Sequence, residues 1–179
     1  DWTVVEARAL YDQPFSDLLF QAQTTHRQHF DPNEVQVSSL LSIKTGGCSE
    51  DCGYCAQSAR YTTEVKAEKL MEKDAVMEKA RAAKESGSTR FCMGAAWKGV
   101  RQGTQKFDQV LDIVRDVSTL GMEVCVTLGE LGSDEAKMLK EAGVTAYNHN
   151  IDTSPEHYPN VVSTHTFDDR LRTIKHAQE

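Results

Sequence analysis

The stretch Cys48-Ser-Glu-Asp-Cys52-Gly-Tyr54-Cys55 brings three thiols into one short loop and offers no fourth. Thiolates are soft ligands for zinc and for iron-sulfur clusters, and both ordinarily take four protein ligands. A centre held by three keeps a coordination position open, and an open position on a metal is where a substrate or cofactor binds. Three other readings stand beside this one. As core cysteines the trio would need apolar neighbours, whereas Ser49, Glu50, Asp51 and Gly53 predict a polar, exposed loop. A disulfide framework suits neither the odd count of five Cys in 179 residues nor a chain whose 39% apolar residues can build a core without staples. A zinc site needs a fourth ligand at short spacing, and after Cys55 no Cys or His occurs before Cys92.

Two further cysteines follow glycines at similar distances, Cys92 after Gly87 and Cys125 after Gly121. Each falls in the middle of an expected strand, so the two can face one another from neighbouring strands. Each taken singly is equally well a small core hydrophobe. Together they suggest a second metal site whose remaining ligands lie outside this sequence, and Asn148, five residues past Gly143, is expected at the matching level of the next strand. The string Tyr147-Asn-His-Asn-Ile-Asp-Thr-Ser154 carries a third signal. Strand alternation would direct Asn148, Asn150 and Asp152 to one face as binding groups, with His149 turned away to pack. An Asx-rich turn capping the strand is the other reading. His26, His29, His157, His165 and His176 show no ligand pairing.

The elements that must hold these residues repeat a simple plan. Two N-terminal helices are expected, the first opened by a capping box at Thr3 and Glu6, the second over Asp17 to Arg27. Asp31-Pro32-Asn33 is a turn, and Val35, Val37, Leu40, Leu41 and Ile43 mark the first strand, which runs through Gly46-Gly47 into the cysteine loop. Then come a helix capped by Asp74 with Val76, Met77, Ala80 and Ala83 inward, a strand at Thr89–Met93, a helix with Val110, Leu111, Val114, Val117 and Leu120, and a strand at Glu123–Thr127. Ser133 opens the next helix, Gly143 closes it, Val144–Asn148 is a strand, and Thr166 opens a last helix carrying Leu171 and Ile174. Strands alternating with helices across short loops require crossovers, hence a parallel sheet and an α/β class. A closed eightfold barrel takes roughly 250 residues, and about four βα units make half of one. Residues 1–34 are expected to form a helical extension and 35–179 the half barrel.

The formal net charge is −7, with no basic stripe. Nucleic acid and anionic membrane surfaces are therefore poor partners. No apolar run approaches the ~20 residues of a spanning helix, and the start Asp1-Trp2-Thr3 has no secretory pattern. Without an initiator Met the chain is expected to be trimmed or fragmentary, which leaves cytoplasm and mitochondrial matrix both open as its location.

Cys48-x3-Cys52-x2-Cys55, with Tyr54 before the last cysteine, resembles the signature of the radical S-adenosylmethionine enzymes. Within that superfamily, Ser42-Ile-Lys-Thr-Gly-Gly47, Gly87 to Trp97, Cys125-Val-Thr-Leu-Gly129 and Tyr147 to Ser154 are similar to the biotin synthase family over essentially the whole chain. The resemblance implies a TIM-type (β/α) barrel and sulfur insertion into dethiobiotin. Cys48, Cys52 and Cys55 would hold a 4Fe-4S cluster whose fourth iron takes S-adenosylmethionine. Tyr54, Asn150, Asp152 and Arg170 would bind that cofactor, and Asn148 the substrate. Cys92 and Cys125 would bind a 2Fe-2S cluster, the sulfur donor, with Arg90 beside it. It further implies a flavodoxin or ferredoxin type of electron donor, iron-sulfur assembly proteins as partners, and a homodimer. Family members continue through strands that supply a third cysteine and an arginine to the second cluster, so this polypeptide alone is expected to be inactive. Another sulfur-inserting member of the superfamily, similar to lipoyl synthase, or a non-catalytic metal-binding fragment are the alternatives.

Overall fold

The computed structural model describes residues 2–179, which divide into two compact units at Gln36/Val37. In the first, α1 (Val4–Tyr11) and α2 (Phe15–His29) form where expected. Thr3 and Glu6 make the reciprocal capping box, the Thr3 amide donating to the Glu6 carboxylate at 2.8 Å. Neither helix buries a residue, and Tyr11, Phe15, Phe20 and Phe30 are exposed.

The second unit runs β1 (Ser38–Lys44), α3 (Lys73–Glu85), β2 (Arg90–Ala95), α4 (Gln105–Ser118), β3 (Glu123–Thr127), α5 (Ser133–Ala142), β4 (Val144–Tyr147), a 3₁₀ turn at Tyr158–Asn160 and α6 (Phe167–Gln178). The four strands are all parallel and lie side by side in chain order. This is the α/β half barrel expected from the alternation of elements. Alternate strand residues Phe91, Met93, Val124 and Val126 point into the helix layer, where Val76, Ala80, Val110, Ile113, Val114, Val117 and Leu139 complete the main core. The same alternation leaves Arg90, Cys92 and Gly94 together on the other, concave face, beside their register partners Glu123, Cys125 and Thr127.

Local signals were right in kind and displaced at several boundaries. Strand β1 begins at Ser38, leaving Val35 exposed outside it, because the ladder with β2 starts at the Ser38–Arg90 pair. Asp74 sits inside the first turn of α3 and does not cap it; Glu72 holds the N-cap position, and neighbouring Lys73 pairs with Asp116 at 2.8 Å. Gly132 likewise holds the N-cap of α5, and Ser133 is its first residue. Helix α4 ends at Ser118, so Leu120 lies beyond it. Leu171 of α6 is largely exposed.

Asn148 does not share the level of the two cysteines. Cys92 pairs with Cys125, but Cys125 pairs with Ala146. Strand β4 starts directly after Gly143, and the ladder shifts by one residue after Val124, so counting from the preceding glycine overshoots by two. Asn148 therefore lies beyond Ala146 toward the C-terminal rim, its amide still donating to the Val126 carbonyl at 2.9 Å.

Candidate active site

The chain leaves β1 through Gly46 and Gly47, both at positive φ of 64° and 65°. A Cβ on Gly46 would stand 2.7 Å from the Lys66 carbonyl oxygen, so this tight passage admits glycine alone. The cysteine loop then closes on itself. The Cys48 amide donates to the Gln57 carbonyl at 2.9 Å, Ala59 N–H to the Cys48 carbonyl at 2.7 Å, and Cys55 N–H to the Cys52 carbonyl at 3.0 Å. All of it sits at the C-terminal end of the sheet, the functional end of barrel folds.

The loop is covered in part: Ser49, Gly53 and Tyr54 are exposed as its polar residues suggest, whereas Glu50 and two of the cysteines are not. Cys48, Glu50 and Cys52 are buried, and residues 161–165, far away in sequence, pack on Glu50 and Cys52. Asp51 accepts from the backbone N–H of Ser163 (2.9 Å) and of Thr164 (3.1 Å) and from the Ser163 hydroxyl, while the Thr164 hydroxyl lies between the Asp51 and Glu50 carboxylates. Those bonds, the Ser163 hydroxyl foremost, hold its pKa far below the usual carboxylate range. Gly53 N–H donates to the Val161 carbonyl at 2.9 Å. Burial penalises the Glu50 carboxylate, but bonds from the Thr164 hydroxyl and His165 Nδ1, with the Lys98 ammonium 3.4 Å away, outweigh it and lower its pKa.

A cavity of about 380 Å³ opens over the loop. Cys48, Cys52, Cys55 and Tyr54 line one side; Asn148, Asn150, Asp152 and Arg170 line another. Eight of the residues singled out in the sequence thus meet in one place. The polar string does so without being a strand, since β4 ends at Tyr147, and His149 consequently joins the cavity wall instead of turning away. Arg170, in the first turn of α6, reaches Asp152 at 3.3 Å and His149 at 3.2 Å. Burial first, and then the Arg170 charge, lower the His149 pKa to about 4. Asp152 holds a φ of 73°, alone among the described non-glycine residues in that region. Strain of this kind persists where surrounding contacts impose it, and it gathers at binding sites. Burial, then the facing Asp152 carboxylate, raise the pKa of the Tyr54 phenol.

Cys92, Cys125 and Arg90 are not in that wall. They sit on the same concave face, deeper than Gly94 and Thr127, which do line the cavity. Burial, then the Cys92 thiol opposite, push the Cys125 pKa up to about 11, while Arg90 acts in the other direction. Arg90 itself pairs with Glu123 at 2.6 Å.

The donor set discriminates between metal centres. Cys48 and Cys52 have raised pKa values, chiefly from desolvation, and the neighbouring Cys55 thiol and Glu50 carboxylate add to the rise. A cationic centre would reverse this by stabilising the thiolates. Glu50, Cys52 and His165 do come close enough to share an ion. Both ring nitrogens of His165 are engaged, however, Nδ1 with Glu50 and Nε2 with the Tyr158 hydroxyl at 3.0 Å. Closed zinc coordination would have to break that pair. The residues fit a cluster held by three thiolates and left open on one iron. His165, Glu50 and Tyr158 were not marked by the sequence, where more than a hundred residues separate Glu50 from His165 and no short-range spacing betrays them.

Residues 42–179 match the Radical SAM superfamily. The chain is 59% identical over 179 residues to a biotin synthase of Nitrobacter winogradskyi and 58% identical over 179 residues to one of Myxococcus xanthus. It is covered completely in both cases and spans about half of each relative, 52% and 51%. In fold it is similar to the FeFe-hydrogenase maturase of Carboxydothermus hydrogenoformans (TM-score 0.75, 18% identity, 99% of this chain and 42% of that one). It is also similar to methylornithine synthase (TM-score 0.71, 18% identity, 98% and 52%). Since the match runs from the end of β1 through the cysteine loop to the last helix, the chain belongs to the Radical SAM superfamily, whose cofactors are a 4Fe-4S cluster and S-adenosylmethionine.

Proposed function

We propose that this chain is the first half of a biotin synthase, an enzyme that inserts sulfur into dethiobiotin, with residues 1–34 as a helical extension and 35–179 as the first four units of its barrel. The observation that carries the reading is the presence of two cysteine sets at two depths of one concave sheet face. Cys48, Cys52 and Cys55 line the cavity, and the Cys92–Cys125 pair lies deeper along the strands, one inward-facing position below Gly94 and Thr127. A general radical enzyme needs the first set; a second sulfur-rich centre within reach of the same substrate suits sulfur insertion. Identity of 56–59% to biotin synthases supports the same choice.

In this reading Cys48, Cys52 and Cys55 hold the 4Fe-4S cluster, and Cys92 and Cys125 contribute to a 2Fe-2S cluster whose other ligands follow Glu179. When bound, these groups and S-adenosylmethionine supply a radical that takes hydrogen from unactivated C–H bonds and the sulfur that replaces it. The chain's own residues bind and orient. The Arg170 guanidinium offers paired donors to the cofactor's carboxylate. Asn150 and Asp152 bind its polar groups, and Tyr54 lies against its adenine. Asn148 hydrogen-bonds dethiobiotin between the two centres, and the Arg90 charge beside Cys125 favours its thiolate. A flavodoxin or ferredoxin type of donor, iron-sulfur assembly proteins and a second copy are the partners this function requires, and five free cysteines suit a reducing compartment, cytoplasm or mitochondrial matrix.

The test uses the full-length protein reconstituted with iron and sulfide without air, then given dethiobiotin or an octanoyl-carrying substrate. Biotin from dethiobiotin is expected. The variant C92S should lose the iron of the deeper cluster and biotin formation while keeping S-adenosylmethionine cleavage. Product from the octanoyl substrate alone would overturn the assignment.

A further inference from the structure

Beneath the cysteine loop, Arg170 is joined to three buried side chains, Tyr158, His165 and Glu50, that the reading above leaves without a role. The chain of contacts starts at Arg170, whose Nε–H donates to the Tyr158 hydroxyl at 3.2 Å. Tyr158 meets His165 Nε2 at 3.0 Å, and His165 Nδ1 meets the Glu50 carboxylate. The ends fix two of the directions, and the neutral Nδ1–H form of His165 gives the third. Guanidinium can only donate and an ionised carboxylate can only accept. Thus Arg170 donates to Tyr158, Tyr158 donates to His165, and His165 donates through Nδ1 to Glu50. Every bond points from cation to anion, the arrangement in which neighbouring hydrogen bonds polarise one another.

The chain also returns to the loop where it began. Arg170 pairs with Asp152, and Asp152 faces the Tyr54 hydroxyl. Glu50 and Tyr54 stand two residues on either side of Cys52, so the ring of contacts encloses that ligand. Tyr158 additionally packs on Cys52 and Val162 in a small apolar cluster, with its ring edge-on to Phe167. Tyr158 and His165 are both buried, 3% and 7% exposed, and thus move little without moving their partners.

We propose that Tyr158 and His165 are positioning residues that couple occupancy of the cofactor site at Arg170 and Asp152 to the setting of Glu50 and Cys52 in the cluster loop. A carboxylate arriving at Arg170 competes for the guanidinium that now serves Tyr158, Asp152 and His149. The buried rings pass the change in Arg170 directly to Glu50. Neither ring touches the reacting atoms. The inference rests on the proposed radical S-adenosylmethionine site and adds how its two halves communicate.

Spatial adjacency alone does not demonstrate coupling, so the test measures it. In the iron-loaded full-length protein, Y158F removes one hydroxyl and H165Q keeps an amide in place of the ring. S-adenosylmethionine affinity and the cofactor-induced change in the electron paramagnetic resonance of the reduced cluster are read for each, with iron content as control. We expect unchanged iron, a weakened spectral response, and an affinity loss of about tenfold per variant that remains about tenfold in the double variant, because both break one chain. Affinity within twofold of the parent, a fully additive loss of roughly a hundredfold, or loss of cluster iron in the variants would each overturn the coupling and leave the residues as plain packing. If Y158F does not fold, H165Q alone decides by the same affinity criterion. A parent protein whose reduced cluster ignores S-adenosylmethionine would overturn the functional reading, and the coupling with it.

Discussion

Asp51 carries no metal ligand and no substrate role, yet it ties two segments 112 residues apart through the N–H groups of Ser163 and Thr164. In D51A those donors lose their acceptor and the tie between the two segments is cut. A fall in melting temperature of several degrees is expected, with D51N intermediate; an unchanged transition by circular dichroism would contradict this. His149 makes a pH prediction. Its folded pKa of about 4 lies below the ordinary 6.5. Between those values the unfolded chain takes up a proton that the folded one refuses, so stability falls as pH drops through that window. The loss is on the order of 1–2 kcal/mol once the solvent-open part of the ring is discounted. Urea unfolding at pH 7 and pH 4.5 should show it for the parent and not for H149Q. Glu50 and Asp51, with lowered pKa values, add their own loss only at lower pH, as the carboxylates protonate.

At the scale of elements, the loops after β2 and β3 hold one rim of the cavity against each other. Gly129 has φ 85°, and a Cβ there would meet the Lys98 carbonyl oxygen at 2.3 Å. Glu130 N–H donates to that same carbonyl at 2.6 Å, which is why the backbones come so close. G129A must either part these loops or adopt a disfavoured backbone, at a cost of about 3 kcal/mol. Its denaturation midpoint should fall accordingly with an unchanged slope. G103A, at positive φ but with open space around its Cβ, should cost less. Comparing the two separates close approach from backbone conformation.

For the whole chain, the sheet ends at β1 on one side and at β4 on the other. Both present unpaired backbone groups among the described residues, and unpaired strands invite pairing with another copy. The 179-residue polypeptide made alone is expected to self-associate with rising concentration, which light scattering would register. The full-length protein, whose further strands would cover these edges, should stay at one fixed size over the same range. An isolated chain that is monodisperse throughout would contradict this.

Local chemistry was enough to read much of the molecule. The glycine that closes a helix at Gly143, the capping box at Thr3, the helix start at Thr166 and the strand Glu123–Thr127 depend on residues a few positions apart, and they stand as expected. The α/β half barrel followed from their alternation. Tertiary structure decided what depends on distant segments. It fixed the ladder that sets Cys125 against Ala146 rather than Asn148, the packing of residues 161–165 on Glu50 and Cys52, and the chain from Arg170 to Glu50. The division has one physical cause. Helix caps and turns satisfy backbone groups within a few residues, whereas register and burial are settled by which remote surface arrives to pair with them.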